Sequence, residues 1–214
     1  MVTTGAETPI LFGAQNFHWE EEGEFTGELS TRLLWEAGAR LFMVGHAERR
    51  TLFGETDEII NRKVQRTLKQ GLRTILCVGE RTWGVSADQL EAELDSQLCA
   101  ALSGVRPRAA TELVVAYEPY WAIGRAAQNP ASAERLFVAA TFIRKSLITI
   151  FGNEHAIPII YGGNVNLENC ARLMAEGGVD GLFVGQAAAS PTSFASVIER
   201  ALSAQLQPGN ADHN

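Results

Sequence analysis

The sequence predicts an α/β protein in which a parallel sheet is wound with helices in six strand–helix units. Two observations carry this prediction. Short apolar, β-branched runs of strand length recur along the chain, and amphipathic stretches of helical length alternate with them. Repeated strand–helix units imply a parallel sheet, and the order β-α-β-α without a long antiparallel run leaves a barrel or a doubly wound sheet. No G-x-G-x-x-G follows the first strand, which makes a dinucleotide-binding sheet the weaker choice.

Strands are expected near Pro9–Ala14, Arg40–Val44, Arg73–Val78, Glu112–Ala116, Ile157–Tyr161 and Gly181–Val184. Helices are expected near Ser30–Ala37, Thr56–Gln70, Ser86–Ser103, Pro130–Phe151, Asn166–Glu176 and Thr192–Ala204. Asn129-Pro130 offers an N-cap followed by proline at the first helical position. Thr56-Asp57-Glu58 places negative charge in a first turn, where it complements the helix dipole. Gly71 after Lys69-Gln70 is a suitable C-terminal stop. The 214 residues suit a single domain over 1–206, followed by a polar tail at 207–214.

Composition narrows the partners. A charged fraction of 20% and an apolar fraction of 46% are those of an ordinary globular protein. The net charge of −7 disfavours a nucleic-acid surface, although backbone amides can still bind an anion locally. No apolar run approaches the ~18 residues a membrane span needs, and Met1–Thr8 lacks the pattern of a signal peptide. Cys77, Cys99 and Cys170 fit no zinc or disulfide spacing, so a cytoplasmic setting is expected. His18, His46 and His155 likewise show no ligand spacing, and no metal is expected.

The most informative stretch is Val114-Val115-Ala116-Tyr117-Glu118-Pro119-Tyr120-Trp121-Ala122-Ile123-Gly124. An apolar strand ends in one carboxylate, and a rigid, then flexible segment follows. A glutamate at a strand end is ordinarily a solvated carboxylate. The C-terminal tips of barrel strands, however, are where such folds keep their catalytic groups. His46, in Val44-Gly45-His46-Ala47-Glu48-Arg49-Arg50, stands at another strand tip. Taken alone it would be a satisfied histidine at the edge of the core.

These segments together resemble the triosephosphate isomerase family over nearly the whole chain. The resemblance implies a TIM (β/α)8 barrel, here in about six βα units, and a cofactor-free aldose–ketose isomerase of dihydroxyacetone phosphate and glyceraldehyde 3-phosphate. It implies Glu118 as general base, His46 as neutral electrophile and Glu48 as a supporting carboxylate bonded to a catalytic lysine. Arg49 and Arg50 match structural or interface arginines, and Glu80 with Arg50 suggests a buried pair. The family ordinarily has serine where Ala47 stands.

Three glycine segments are expected to form a phosphate site. Gly124 lies in a closing lid, Tyr161-Gly162-Gly163-Asn164-Val165 leads towards a helix, and Asp180-Gly181-Leu182-Phe183-Val184-Gly185-Gln186 ends the last strand. Phosphate sites in such barrels lie after strands seven and eight, at helix N-termini. The residues expected to bind phosphate are Gly124, Asn164, Gly185 and Gln186. Asn164, Ala126 and Gln186 depart from the family's serine and two glycines. Similar departures in relatives acting on four-carbon ketose phosphates keep an erythrulose phosphate isomerase as an alternative.

The segment Phe12–Trp19 with Phe25-Thr26-Gly27-Glu28 resembles the family's subunit-inserting loop, which implies a homodimer with Thr26 bracing the partner's site. The first strand matches the family's third, so two units and their Asn-x-Lys motif are expected to be missing from the front. Lys63, Lys69 and Lys145, on predicted helices, are poor substitutes for that lysine. An inactive remnant or phosphate-binding scaffold is therefore the alternative from another class.

Overall fold

In the computed structural model the described residues are 10–124, 131–152 and 156–205. Six strands form one sheet in the order of the chain: β1 Gly13–Ala14, β2 Leu41–Val44, β3 Arg73–Val78, β4 Leu113–Tyr117, β5 Ile159–Tyr161 and β6 Gly181–Leu182. Every neighbouring pair is parallel. A doubly wound sheet reverses its strand order at a switch point. This sheet never does, so the architecture is a partial (β/α) barrel. Among the described residues seven α-helices accompany it: α1 Thr31–Glu36, α2 Ala47–Leu52, α3 Asp57–Lys69, α4 Ala87–Ala101, α5 Ala133–Phe151, α6 Cys170–Glu176 and α7 Pro191–Gln205.

Side chains alternate across a strand, and the two faces here belong to two apolar clusters. Phe42, Val44, Leu76, Val78, Val115 and Tyr117 point outward into the layer shared with the helices. Met43, Ile75, Cys77 and Ala116 point inward and form the smaller core of the barrel. Continued one residue past β4, this alternation turns Glu118 inward. The periodicity of the strand thus delivers the carboxylate to the interior.

Hydroxyl caps start four helices. Ser30, Thr56, Ser86 and Ser132 each accept a bond from a backbone N–H in the first turn, and Ser86 with Gln89 completes a capping box. The proposed cap Asn129-Pro130 lies outside the described residues, as do His155, Ala126 and the polar tail. Two boundaries differ from the sequence expectation. Helix α2 was not anticipated, because it is capped by His46 rather than by a Ser, Thr, Asp or Asn. Helix α6 begins at Cys170 rather than at Asn166, because the Asn166 side chain accepts from the N–H groups of Glu168 and Asn169 and closes a turn first.

The tips of β3 and β4 approach so closely that residue 79 has room only for glycine. A Cβ on Gly79 would stand 2.1 Å from the carbonyl oxygen of Glu118 and 2.4 Å from its carbonyl carbon. The Gln97 side chain of α4 accepts from the Gly79 N–H at 3.1 Å and donates to its carbonyl at 2.9 Å. We expect Gly79→Ala to lower stability by about 2 kcal/mol or more, since a backbone atom cannot step aside as a side-chain end can. Urea unfolding checks this, and a loss below about 0.5 kcal/mol would show that the two tips separate freely.

Candidate functional site

The C-terminal tips of the strands surround a cavity of about 630 Å³. Glu118, His46 and Glu48 line it, together with Gly124, Asn164, Gly185 and Gln186. Every residue the sequence assigned to catalysis, support or phosphate binding therefore faces one space. Thr26 does not line it; it sits on the exposed loop between β1 and α1.

Glu118 is 2% exposed. Its partners are few and long: the Ala47 N–H donates to Oε2 at 3.4 Å, and His46 Nε2 lies 3.4 Å from Oε1. Burial pushes its carboxyl up to about 8, a rise that the hydrogen bonds from Cys77 and Ala47 only partly offset. Gly162 leaves the space the side chain needs, because a Cβ there would lie 2.7 Å from Glu118 Cγ.

His46 caps α2. Its Nδ1 accepts from the Glu48 N–H at 3.2 Å. A backbone N–H can only donate, so Nδ1 carries no proton and Nε2 is the N–H of a neutral ring. Burial is the leading cause holding the imidazolium below its usual range; the nearby Glu48 and Glu55 carboxylates oppose it. His46 and Glu118 both line the cavity. An acid–base carbon chemistry requires this pair: a carboxyl poised to move a proton and a neutral donor aimed at the neighbouring oxygen.

On the opposite wall, Asn164, Gly185 and Gln186 present amide groups. Gly185 caps the short 3-10 turn Gln186–Ala189, whose N-terminal end faces the cavity. Such an end favours an anion. Among the described residues the lining has one cationic side chain, Arg49, and Glu55 engages it at 2.8 Å. Glu55 also meets Lys63 at 2.7 Å, and Lys63 donates to Asn16 at 2.7 Å. Lys63 is thus buried behind the wall as an ion-pair partner, consistent with its poor fit as a substrate cation. Among the described residues no His, Cys, Asp or Glu side chains cluster in a way that could hold a metal ion.

One sequence expectation is corrected. Glu80 does not pair with Arg50. Arg50 donates to Asp57 and to the Gly45 and Cys77 carbonyls. Glu80, fully buried, instead accepts from Tyr117, Trp121 and Arg135. Arg135 comes from the first turn of α5, far along the sequence, so no local pattern announces it. Gln15 and Asn16, which also line the cavity, were read only as loop residues.

The fold and the cavity define a class: a β/α-barrel protein with a buried glutamate and a histidine facing one cavity at the strand tips. The comparisons give the family. The family model for triosephosphate isomerase matches residues 1–201. The triosephosphate isomerase of Symbiobacterium thermophilum is 42% identical over 203 residues, covering 94% of this chain and 78% of that protein. That of Synechococcus sp. is 45% identical over 189 residues, covering 88% of this chain and 70% of that protein. The crystal structure of the Bartonella henselae triosephosphate isomerase superposes with a TM-score of 0.78 at 32% identity, covering 89% of this chain and 77% of that one. The chain belongs to the triosephosphate isomerase family, whose members are aldose–ketose isomerases.

The raised Glu118 carboxyl has a consequence for stability. In the unfolded chain a glutamate titrates near ~4.3. The folded protein holds this proton up to about 8. Between these values the folded state binds more protons than the unfolded one, so this group's contribution is fully present below the unfolded value and is lost as pH rises through about 8. We expect the urea midpoint to fall across that window and Glu118→Gln, which is neutral throughout, to flatten the fall. An identical pH profile for the two proteins would show that the carboxyl titrates normally.

Proposed function

We propose that this chain interconverts dihydroxyacetone phosphate and D-glyceraldehyde 3-phosphate. The observation that carries the reading is the contact between a buried, high-pKa Glu118 and the Nε2–H of a neutral His46 on the wall opposite an amide-rich anion cradle. In the reaction the Glu118 carboxylate removes a proton from the carbon beside the substrate carbonyl. The electron pair of that C–H bond forms the enediolate, and the His46 Nε2–H stabilises the charge developing on oxygen. A proton passes from the substrate's hydroxyl oxygen to its former carbonyl oxygen by way of His46 Nε2. Glu118 returns its proton to the adjacent carbon, so the reaction is redox-neutral and needs no co-reactant. Asn164, Gly185 and Gln186 hold the phosphate, Gly124 closes the near wall, and Glu48 flanks His46.

Glu118→Gln should lower kcat roughly 10²–10⁴-fold and His46→Gln about 10²-fold, with folding retained. The coupled assay for glyceraldehyde 3-phosphate formation measures both. For the wild type, kcat/KM should rise with pH until Glu118 ionises in the free enzyme, an inflection above the ordinary carboxylate range and towards about 8. Absence of turnover in folded protein would instead favour a phosphate-binding scaffold.

Asn164 and Gln186 are larger than the serine and glycine common in the family, and both line the cavity. This supports a second substrate, erythrulose phosphate, whose extra carbon would lengthen the reach to the phosphate. Turnover of the two ketose phosphates side by side separates the readings.

The protein is further proposed to act as a homodimer in the cytoplasm, with Thr26 reaching the neighbouring subunit. Phe25 and Leu29 beside it are 41% and 52% exposed, and Phe53 at the cavity rim is 67% exposed. Burying such a patch favours association. Sedimentation velocity should report a two-chain mass that falls to one chain in Phe25→Asp; a one-chain wild type would refute the dimer.

A further inference from the structure

Trp83 is 55% exposed, an uncommon state for a large aromatic side chain, and it does not line the cavity. It lies on the loop between β3 and α4, a loop that runs as a splint along the segment bearing the base. Gly79 backs onto the Glu118 carbonyl. The Glu80 carbonyl accepts from the Tyr120 N–H at 3.0 Å, and the Glu80 carboxylate accepts from Trp121 Nε1 at 3.1 Å. Arg135 fastens the far end of the loop through the Val85 carbonyl at 3.2 Å. Between these ties the Trp83 ring meets the Trp121 ring edge-on, with centroids 4.3 Å apart and planes at 73°. This is a favoured aromatic geometry.

Trp121 belongs to the turn Tyr120–Ala122, two residues after Glu118 and its neighbour Pro119, and just before Ile123 and Gly124 of the cavity wall. The Glu80 bond fixes one edge of Trp121 from the interior. Only Trp83 covers it from the solvent side among the aromatic contacts of the described residues. We propose that Trp83 is a positioning residue: by clamping Trp121 it holds the turn after Glu118, and through that turn sets where the carboxylate sits against His46 and how completely it is buried. This inference rests on the reading of Glu118 as the base.

The test compares Trp83→Ala with Trp83→Phe in the full chain by amide hydrogen exchange and by steady-state kinetics. The Tyr120, Ala122 and Ile123 N–H groups close the turn, donating to the Glu80, Pro119 and Tyr120 carbonyls. Trp83→Ala should speed their exchange roughly three- to tenfold, the size expected for losing one aromatic pair. The β3 and β4 amides, such as those of Leu76 and Val115, should not change. In the kinetics, kcat should fall by a similar factor with KM within about twofold, and the Glu118 inflection in kcat/KM should move down as the carboxyl gains water. Trp83→Phe keeps an edge-on ring and should restore both readouts. Unchanged exchange in the turn, equal losses in the two variants, or equal acceleration in β3 and β4 would each overturn the proposal. If the wild type shows no turnover, it is the isomerase reading that fails, and the exchange data still decide whether Trp83 holds the turn.

Discussion

Two carboxylates are buried at the tips of β3 and β4, and the contrast in how each is satisfied organises this end of the sheet. Glu80 is fully buried and accepts from a tyrosine hydroxyl, an indole N–H and a guanidinium. Glu118 is almost as buried but is held more loosely, by the Cys77 thiol and by the Ala47 N–H at 3.4 Å, with His46 Nε2 also 3.4 Å away. Equal burial with unequal hydrogen bonding leaves Glu118 the less satisfied of the two. The satisfied carboxylate also does mechanical work. By gathering Tyr117, Trp121 and Arg135 it ties the end of β4, the following turn and the start of α5 into one unit. That unit is what keeps the poorly satisfied carboxylate from escaping to water.

A second buried ionic group plays the equivalent role on the other side of the cavity. Glu55 joins Arg49 of α2 to Lys63 of α3, and Lys63 reaches Asn16 of the loop after β1. Three chain segments that form one wall are thereby held in register. Breaking such a trio by removing one member costs far more than the pair contributes, because a charge is left buried without its partner. It also commits Arg49: a guanidinium already engaged by a carboxylate is a weaker source of positive potential for a substrate anion. In the proposed reaction the substrate anion would depend on the amides of Asn164, Gly185 and Gln186, all of which line the cavity.

The strand–helix alternation was legible in the sequence because each strand is short, apolar and bounded by turn residues, and all six strands lie where expected to within a few residues. The strand tips were legible for the same reason, but Glu118, His46, Asn164 and Gln186 were singled out there only by the family resemblance, since alone a strand-end glutamate reads as solvated and His46 as a core-edge histidine. What stayed hidden depends on contacts between distant segments. Helix α2 escaped because a histidine cap follows no capping rule. The pairing of Glu80 was misassigned to Arg50 because proximity in sequence between motifs says little about which guanidinium bends towards which carboxylate. Arg135 and Trp83 carry no local signature at all; each matters only through what the fold places beside it.

The inward turn of Glu118 is the step at which fold becomes chemistry. Period-two alternation along β4 sends Val114 and Ala116 to the inner face, and the next inward position is 118. A shift of one residue in the pairing of β4 with β3 would send Glu118 out among the helices and Tyr117 into the barrel. The register is fixed by Val78 against Tyr117 and Cys77 against Ala116. It is further locked by the Gly79 backbone lying against the Glu118 carbonyl and by the two hydrogen bonds from Gln97. The inward residues just before these tips, Cys77 and Ala116, are small and buried. The carboxylate needs a narrow, dry seat, and larger side chains there would lift it towards water and return it to an ordinary acid.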